Sequence, residues 1–166
     1  GCGVDAARTV EAADALLDLF QRRARRQNAY VTSPLGLRFV KASSAPLSPQ
    51  YGRDTSMIEL PQLKGTHAAL ETIDAFHDLL FKRFQGRPHW GLVNRKMNKT
   101  RLVELYPALP SFLAAYLALN PLGTFDDDFT RQVGFRALVE RARRAAREKA
   151  GSGQQAARSR RARRRS

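Results

Sequence analysis

The sequence predicts an α+β domain in which a small sheet is covered by helices. Two long segments, residues 5–28 and 66–86, carry apolar residues at helical spacing. Two short segments between them, residues 36–41 and 56–60, mix apolar and polar residues as strands do. A sheet of two or three strands is marginally stable alone, so we expect the helices to cover it or another segment to pair with it.

The first helix is predicted over residues 5–28. Acidic residues occupy its N-terminal half and arginines its last turns, which suits the helix dipole. We interpret this charge gradient as a solvated face rather than a nucleic-acid contact. The expected buried stripe consists of Val10, Ala13, Leu16, Leu17 and Phe20.

The second helix is predicted to start at Thr66, which is a suitable N-cap residue, and to stop at Gly86. Its two histidines, His67 and His77, are ten residues apart, which is not the spacing of a helical metal pair, so we expect both near the surface. The expected buried stripe consists of Leu70, Ile73, Phe76, Leu80 and Phe84.

The remaining segments are shorter. Residues 42–53 are rich in Ser and Pro and predict a loop. Short helices are expected at residues 100–106 and 110–119, followed by a turn at residues 120–123. We therefore divide the chain into an N-terminal helix (residues 1–29), a central domain (residues 30–135) and a basic tail (residues 136–166).

The net charge of +14 is concentrated in the tail, which holds 12 of the 29 basic residues and 2 of the 15 acidic ones. We expect the tail to be helical as far as residue 150 and unstructured beyond it. Its arginines suit weak, salt-sensitive contact with nucleic acid, but it has no interleaved aromatic residues for base stacking. We interpret it as an appendage whose charge says little about the folded domain.

Several classes of protein are excluded by composition. No apolar run approaches the roughly 20 residues that span a bilayer, and the N-terminus lacks the layout of a signal peptide. The single cysteine, Cys2, excludes an internal disulfide and a cysteine-based zinc site, so a reducing cytoplasm is the expected compartment, with membrane association left open. Residues 126–128 are three aspartates without a calcium-binding loop around them, and no dinucleotide-binding motif is present. We predict no metal site.

Two places in the sequence could carry chemistry. Residues 86–91, GRPHWG, set His89 and Trp90 between Pro88, which favours extended backbone, and Gly91, which permits close approach. This segment is either a pocket wall or a tight turn with a packed tryptophan. Arg38 lies in the first strand on the face opposite its apolar neighbours. Its guanidinium could stabilise a developing oxyanion or a reduced cofactor, or it could simply be solvated on an edge strand.

Taken together, three segments resemble the D-arabinono-1,4-lactone oxidase and alditol oxidase branch of the vanillyl-alcohol oxidase superfamily, whose sterol-oxidising members come next in similarity. The segments are GLRFVKASSAPLSPQYGRDTSMIEL, GRPHWG and LYPALPSFLAAYLALNPLGTF. The resemblance covers residues 30–135 and implies the C-terminal, substrate-side part of an FAD-dependent oxidase. It also implies a partner domain or subunit that binds most of the FAD.

The resemblance assigns roles to particular residues. Arg38 and His89 are implied as catalytic, and His89, Trp90 and Gly91 as cofactor-binding. The implied substrate-binding residues are Arg38, Trp90, Leu92 and Asn94. The family carries an acidic residue where this chain has Gly36, and many members carry a lysine where it has Leu92. The two departures predict either a less polar alcohol as substrate or a degenerate pocket.

The function expected from sequence is therefore one wall of the active site of an FAD-dependent oxidoreductase. It would act on the CH–OH group of an aldonolactone, an alditol or a less polar alcohol, with oxygen as acceptor. The chain is expected to be a fragment or subunit that is inactive alone. Two alternatives stay open: a non-catalytic remnant that packs on a partner, and a nucleic-acid-binding module that uses the basic tail.

Overall fold

A four-stranded antiparallel sheet organises the first part of this computed structural model, which describes residues 1–141 and 144. The strands are β1 (Cys2–Asp5), β2 (Gly36–Val40), β3 (Thr55–Glu59) and β4 (Arg87–Pro88), in the spatial order β2-β3-β1-β4. Helices α1 (Thr9–Gln27) and α2 (Ala69–Phe84) both contact β1, and they contact each other. The structure thus confirms the predicted α+β class, with a small sheet covered by helices.

The strand β1 is absent from the sequence prediction, although it lies at the centre of the sheet and pairs with both β3 and β4. Only four residues long, it shows no alternation of apolar and polar residues, because Cys2, Gly3 and Val4 are all buried. Gly3 permits this close packing, since a Cβ atom there would lie 2.8 Å from both Met57 Sδ and Thr55 Cγ2.

Helix α1 begins later than predicted, after a short 3₁₀ turn at Ala6–Arg8, and it buries a different face. Leu16 and Phe20 are buried as expected, but the prediction was wrong for Val10 and Leu17, which are 74% and 51% exposed. Small residues on the buried face let the helix approach its neighbours closely. The buried residues are Thr9, Ala12, Ala15, Leu16 and Phe20.

Helix α2 begins at Ala69, three residues after the predicted cap Thr66, and Ala68 precedes it in the left-handed region without a side-chain cap. It ends just before Gly86, as predicted. A Cβ atom on Gly86 would lie 2.6 Å from Cys2 Sγ, so this glycine also allows the chain to return closely past β1.

The buried face of α2 includes Phe76, Leu80 and Phe84 as expected, whereas Leu70 is 47% exposed, contrary to prediction. His77 was expected near the surface, and this was also wrong. It is 1% exposed, with its ring 5.2 Å from that of Phe76 and 5.3 Å from that of Phe81. Burial lowers the pKa of His77 to about 4.

Two further helices follow as predicted: α3 (Lys99–Leu105) and α4 (Leu109–Leu119), the latter leading into the expected turn. The chain divides into two compact units, Gly1–Leu109 and Pro110–Ser166. Within the described part of the chain, no helix is both long and apolar enough to cross a bilayer.

The second unit is organised around Asp126, which accepts hydrogen bonds from Tyr116, Asn120 and Arg136. Asp127 caps the last short helix, α5 (Asp128–Val133), through Thr130. The aspartate run therefore serves the local fold. Residues 135–141 and 144 are helical, and the rest of the predicted basic tail lies outside the described residues.

Candidate active site

A cavity of about 520 Å³ lies in the first unit, at the end of β3. Residues from β2, β3, α2 and the segment after β4 line it. Most of its wall is apolar, and its charged and polar side chains come from separate parts of the sequence. The apolar lining consists of Leu60, Pro61, Ile73, Phe76, Leu92 and Val93, and the polar side chains are Arg38, Glu59, Gln62 and His89.

Strand pairing sets Arg38 beside Glu59. In the β2–β3 ladder Arg38 lies opposite Met57 and Gly36 lies opposite Glu59, so Arg38 and Glu59 are diagonal neighbours on one face of the sheet. Arg38 Nη2 donates a hydrogen bond to Glu59 Oε1. The Arg38 side chain is 68% exposed and that of Glu59 31%. The pair therefore offers a cation and a carboxylate side by side at the cavity.

The turn that carries His89 is held by backbone and side-chain hydrogen bonds. The His89 carbonyl accepts from the Leu92 N–H at 3.1 Å and from Asn94 Nδ2 at 3.1 Å. The same Asn94 amide donates to the Trp90 carbonyl at 3.2 Å. Asn94 is buried and His89 is exposed. The buried Asn94 thus holds the turn on the side away from the cavity, and His89 lies on the cavity side.

Trp90 anchors this turn to the loop between β2 and β3. Its indole Nε1–H donates to the Leu47 carbonyl at 2.7 Å, and its ring lies 5.3 Å from that of Tyr106. Burial raises the pKa of Tyr106, so its phenol stays protonated. Gly91 is exposed, and the nearest atom to a Cβ built on it would be His89 Cε1, at 3.4 Å. A side chain at position 91 would therefore contact the His89 imidazole.

The structure brings three of the predicted site residues, Arg38, His89 and Leu92, to one cavity. Trp90 and Asn94 do not line it, but they fix the turn from which His89 and Leu92 do. The sequence allowed residues 86–91 to be either a pocket wall or a tight turn with a packed tryptophan, and the structure shows each feature at a different residue. Trp90 is the packed tryptophan of a tight turn, and His89 forms part of a pocket wall.

Sequence reasoning missed Glu59 and Arg87. Glu59 could have been found only from the register of β2 against β3, which the sequence does not give. Arg87 belongs to the GRPHWG segment, where no role was predicted for it. It is 8% exposed and donates to the Leu105 carbonyl at 2.8 Å and the Tyr51 carbonyl at 2.7 Å. No signal in the sequence separates this buried arginine from the solvated ones.

Such a cavity, with a guanidinium, a carboxylate and an imidazole on a mainly apolar wall, suits a site that binds a small polar molecule and moves its protons. The chain belongs to the D-arabinono-1,4-lactone oxidase family, whose model matches residues 2–133. This confirms the family resemblance read from the sequence.

Individual relatives agree with this assignment. The chain is 32% identical over 123 residues to an L-gulono-1,4-lactone dehydrogenase of Mycobacterium tuberculosis, a match that covers 74% of this chain and 27% of the relative. It is 33% identical over 97 residues to an alditol oxidase of a Streptomyces species, covering 58% and 23%. An L-gulonolactone oxidase of Scyliorhinus torazame is 29% identical over 104 residues, covering 61% and 23%. The chain thus spans about a quarter of the length of these relatives.

Proposed function

We propose that this chain is the substrate side of an FAD-dependent oxidoreductase that oxidises the CH–OH group of a lactone or alditol-like alcohol. The observation that carries the proposal is the meeting of Arg38 and His89 at one cavity, in a member of the D-arabinono-1,4-lactone oxidase family. Relatives named for lactone and alditol oxidation support this class of substrate. A domain that binds most of the FAD is the proposed partner.

His89 and Arg38 have complementary tasks in this proposal. Oxidation of an alcohol removes a hydride from carbon and a proton from the hydroxyl oxygen. The exposed imidazole of His89 can accept that proton, since a neutral imidazole has one unprotonated nitrogen. The guanidinium of Arg38 can donate hydrogen bonds to the oxygen as it gains negative charge.

The residues around the turn fit a flavin. His89 and Gly91 are both exposed, so a flat ring can approach them, while Trp90 is hydrogen-bonded to the Leu47 carbonyl. Bound FAD supplies the acceptor for the hydride. The positive charge of Arg38 favours a neighbouring group that gains negative charge on reduction. We therefore propose His89, Trp90 and Gly91 as this chain's contribution to the cofactor site.

The wall composition bears on the substrate. Gly36 contributes no side chain and Leu92 contributes an apolar one, and Leu92 lies on the cavity beside Ile73, Phe76 and Val93. Burying a hydroxyl without a partner costs about 1–3 kcal/mol. We propose that the preferred alcohol presents its hydroxyls to Arg38 and Glu59 and a less polar surface to the opposite wall.

The test uses the FAD-loaded enzyme that contains this chain. It is mixed without oxygen with L-gulono-1,4-lactone, D-arabinono-1,4-lactone, a five-carbon alditol or a monofunctional alcohol. Bleaching of the visible flavin absorbance by at least one of them is expected. Reoxidation is then compared with oxygen and with an artificial acceptor, because the relatives include both oxidases and a dehydrogenase. A bound flavin that no alcohol or lactone reduces would contradict the proposed function.

The His89→Ala variant is expected to reduce its flavin at least about a hundredfold more slowly, because general-base catalysis contributes factors of that order. The matched control is His67→Ala, since His67 is exposed and does not line the cavity. Rapid-mixing absorbance gives both rates. Wild-type reduction kinetics in His89→Ala would remove His89 from the mechanism.

A further inference from the structure

The Arg38–Glu59 pair has an open position beside it. Gly36 lies directly opposite Glu59 in the strand ladder, and a Cβ atom on Gly36 would lie 3.6 Å from Glu59 Cβ and 3.9 Å from Glu59 Oε2. These are ordinary contact distances, so a side chain at position 36 would stand against the Glu59 carboxylate. With glycine there, the β2 side of that carboxylate is uncovered.

Glu59 is also the only acidic residue among the described residues that line the cavity. Arg38 donates to its Oε1 atom, whereas a carboxylate has about four lone-pair positions. Glu59 can therefore hold Arg38 and accept a second hydrogen bond at the same time. The charges of Arg38 and Glu59 therefore offset each other.

We propose that Glu59 determines the substrate specificity of this site by accepting a hydrogen bond from a hydroxyl next to the reacting carbon, while it positions Arg38. A donor and an acceptor side by side match a neutral vicinal diol or hydroxylactone. One substrate oxygen accepts from Arg38, and the neighbouring hydroxyl donates to Glu59. The inference rests on the proposed function and adds a specificity-determining residue to it.

Charge gives the proposal a second consequence. Opening a lactone by hydrolysis produces a carboxylate, which the Glu59 carboxylate repels. The Arg38–Glu59 pair therefore selects the neutral lactone over the carboxylate that forms when the lactone is hydrolysed. Without the negative charge of Glu59, the Arg38 guanidinium would be uncompensated and would favour the anion.

The experiment measures flavin reduction by a vicinal diol and by the matched alcohol that lacks the second hydroxyl, in the FAD-loaded enzyme that contains this chain. In Glu59→Gln, kcat/KM for the diol is expected to fall about tenfold to a hundredfold, mainly through KM, because a hydrogen bond to a charged group is lost. The value for the mono-alcohol should change less than about threefold. The open-chain aldonate, tested as a competitive inhibitor, should bind the variant several-fold more tightly than the wild type.

Moving the carboxylate to the neighbouring strand tests whether its position beside Arg38, rather than an effect on folding, determines the specificity. The double variant Gly36→Glu, Glu59→Ala moves the carboxylate from β3 to β2, and it is expected to recover most of the preference for the diol. Glu71→Gln is the matched control, since Glu71 is exposed on α2 and does not line the cavity. Its kinetics should equal those of the wild type.

The outcomes distinguish this proposal from the proposed function. If no alcohol reduces the wild-type flavin, the proposed function fails. If the wild type is active and Glu59→Gln loses the same factor on both alcohols, Glu59 is merely structural and the specificity proposal is overturned. Unchanged diol kinetics, or an aldonate that binds the variant no more tightly than the wild type, would overturn it as well.

Discussion

The two outer strands of the sheet each carry an arginine, and the two side chains have opposite surroundings. Arg38 on β2 is largely exposed, and it pairs with a carboxylate at the rim of the cavity. Arg87 on β4 is buried, and it donates to the carbonyls of Leu105 and Tyr51. Arg87 therefore joins chain segments to one another, whereas Arg38 keeps donors available for another molecule. Burial and the type of acceptor separate the two roles.

The histidines divide in the same way. His77 is enclosed by the rings of Phe76 and Phe81 within the helical layer, while His89 is exposed on the wall of the cavity. Burial keeps the His77 imidazole neutral, so that it contributes packing. The helix-covered half of the sheet thus holds the buried pair Arg87 and His77, whereas the β2 end and the turn after β4 present the exposed Arg38 and His89 that the proposed function uses.

The largest expected effect is on stability, from Arg87→Met. Removal of the guanidinium leaves the buried Leu105 carbonyl and the part-buried Tyr51 carbonyl without this donor, at about 1–3 kcal/mol each. We expect the free energy of unfolding to fall by about 3 kcal/mol or more, as measured by denaturant titration. Arg38→Met is the matched control and should change it by less than about 0.5 kcal/mol, because exposed ion pairs contribute little.

Arg87→Lys makes the comparison sharper. Lysine keeps the positive charge but loses the fork that reaches two carbonyls at once, so we expect it to recover less than half of the lost stability. If Arg38→Met destabilises the protein as much as Arg87→Met, the contrast between the two outer strands is wrong.

A pH effect of similar size is expected from His77. The unfolded chain binds a proton at His77 near pH 6.5, but the folded protein binds it only near pH 4, because burial lowers the pKa. Between these values the unfolded state holds more protons, so the free energy of unfolding falls as the pH decreases through this window. The full shift corresponds to about 3 kcal/mol.

The His77→Phe variant keeps an aromatic ring and cannot titrate, so its stability should depend less on pH over the same interval. Unfolding curves at several pH values, for this variant and for the wild type, give the difference directly. A slope that is unchanged in His77→Phe would show that this imidazole does not govern acid stability.

The sequence could predict those parts of the fold that depend on local pattern. Helical spacing located both long helices, and the short strands β2 and β3 followed from apolar residues between turn signals. The face that each helix buries was predicted only in part, because Val10, Leu17 and Leu70 are apolar yet exposed. Strand β1 could not be predicted, since its run of three buried residues resembles no alternating strand and acquires its role only through pairing on both sides.

The candidate site was likewise predicted only where local sequence was sufficient. Arg38, His89 and Leu92 were singled out from local sequence and from the family resemblance, and the structure brings them to one cavity. Glu59 depends on the register that sets it opposite Gly36, and Arg87 depends on burial by segments distant in sequence. Both are tertiary properties, so no local pattern contains them.

The smallest expected effect tests the boundary between the two regions, where Trp90 lies. Its indole N–H donates to the Leu47 carbonyl, and its ring packs near Tyr106. Trp90→Phe removes this hydrogen bond and keeps an aromatic plane, so we expect a loss of about 1 kcal/mol in the free energy of unfolding. Flavin affinity should stay within about threefold of wild type, because the ring face remains. Unchanged stability combined with clearly weaker flavin binding would show that the indole N–H serves the cofactor rather than the loop. Trp90 would then be grouped with Arg38 and His89, in the region proposed to bind the substrate and the cofactor.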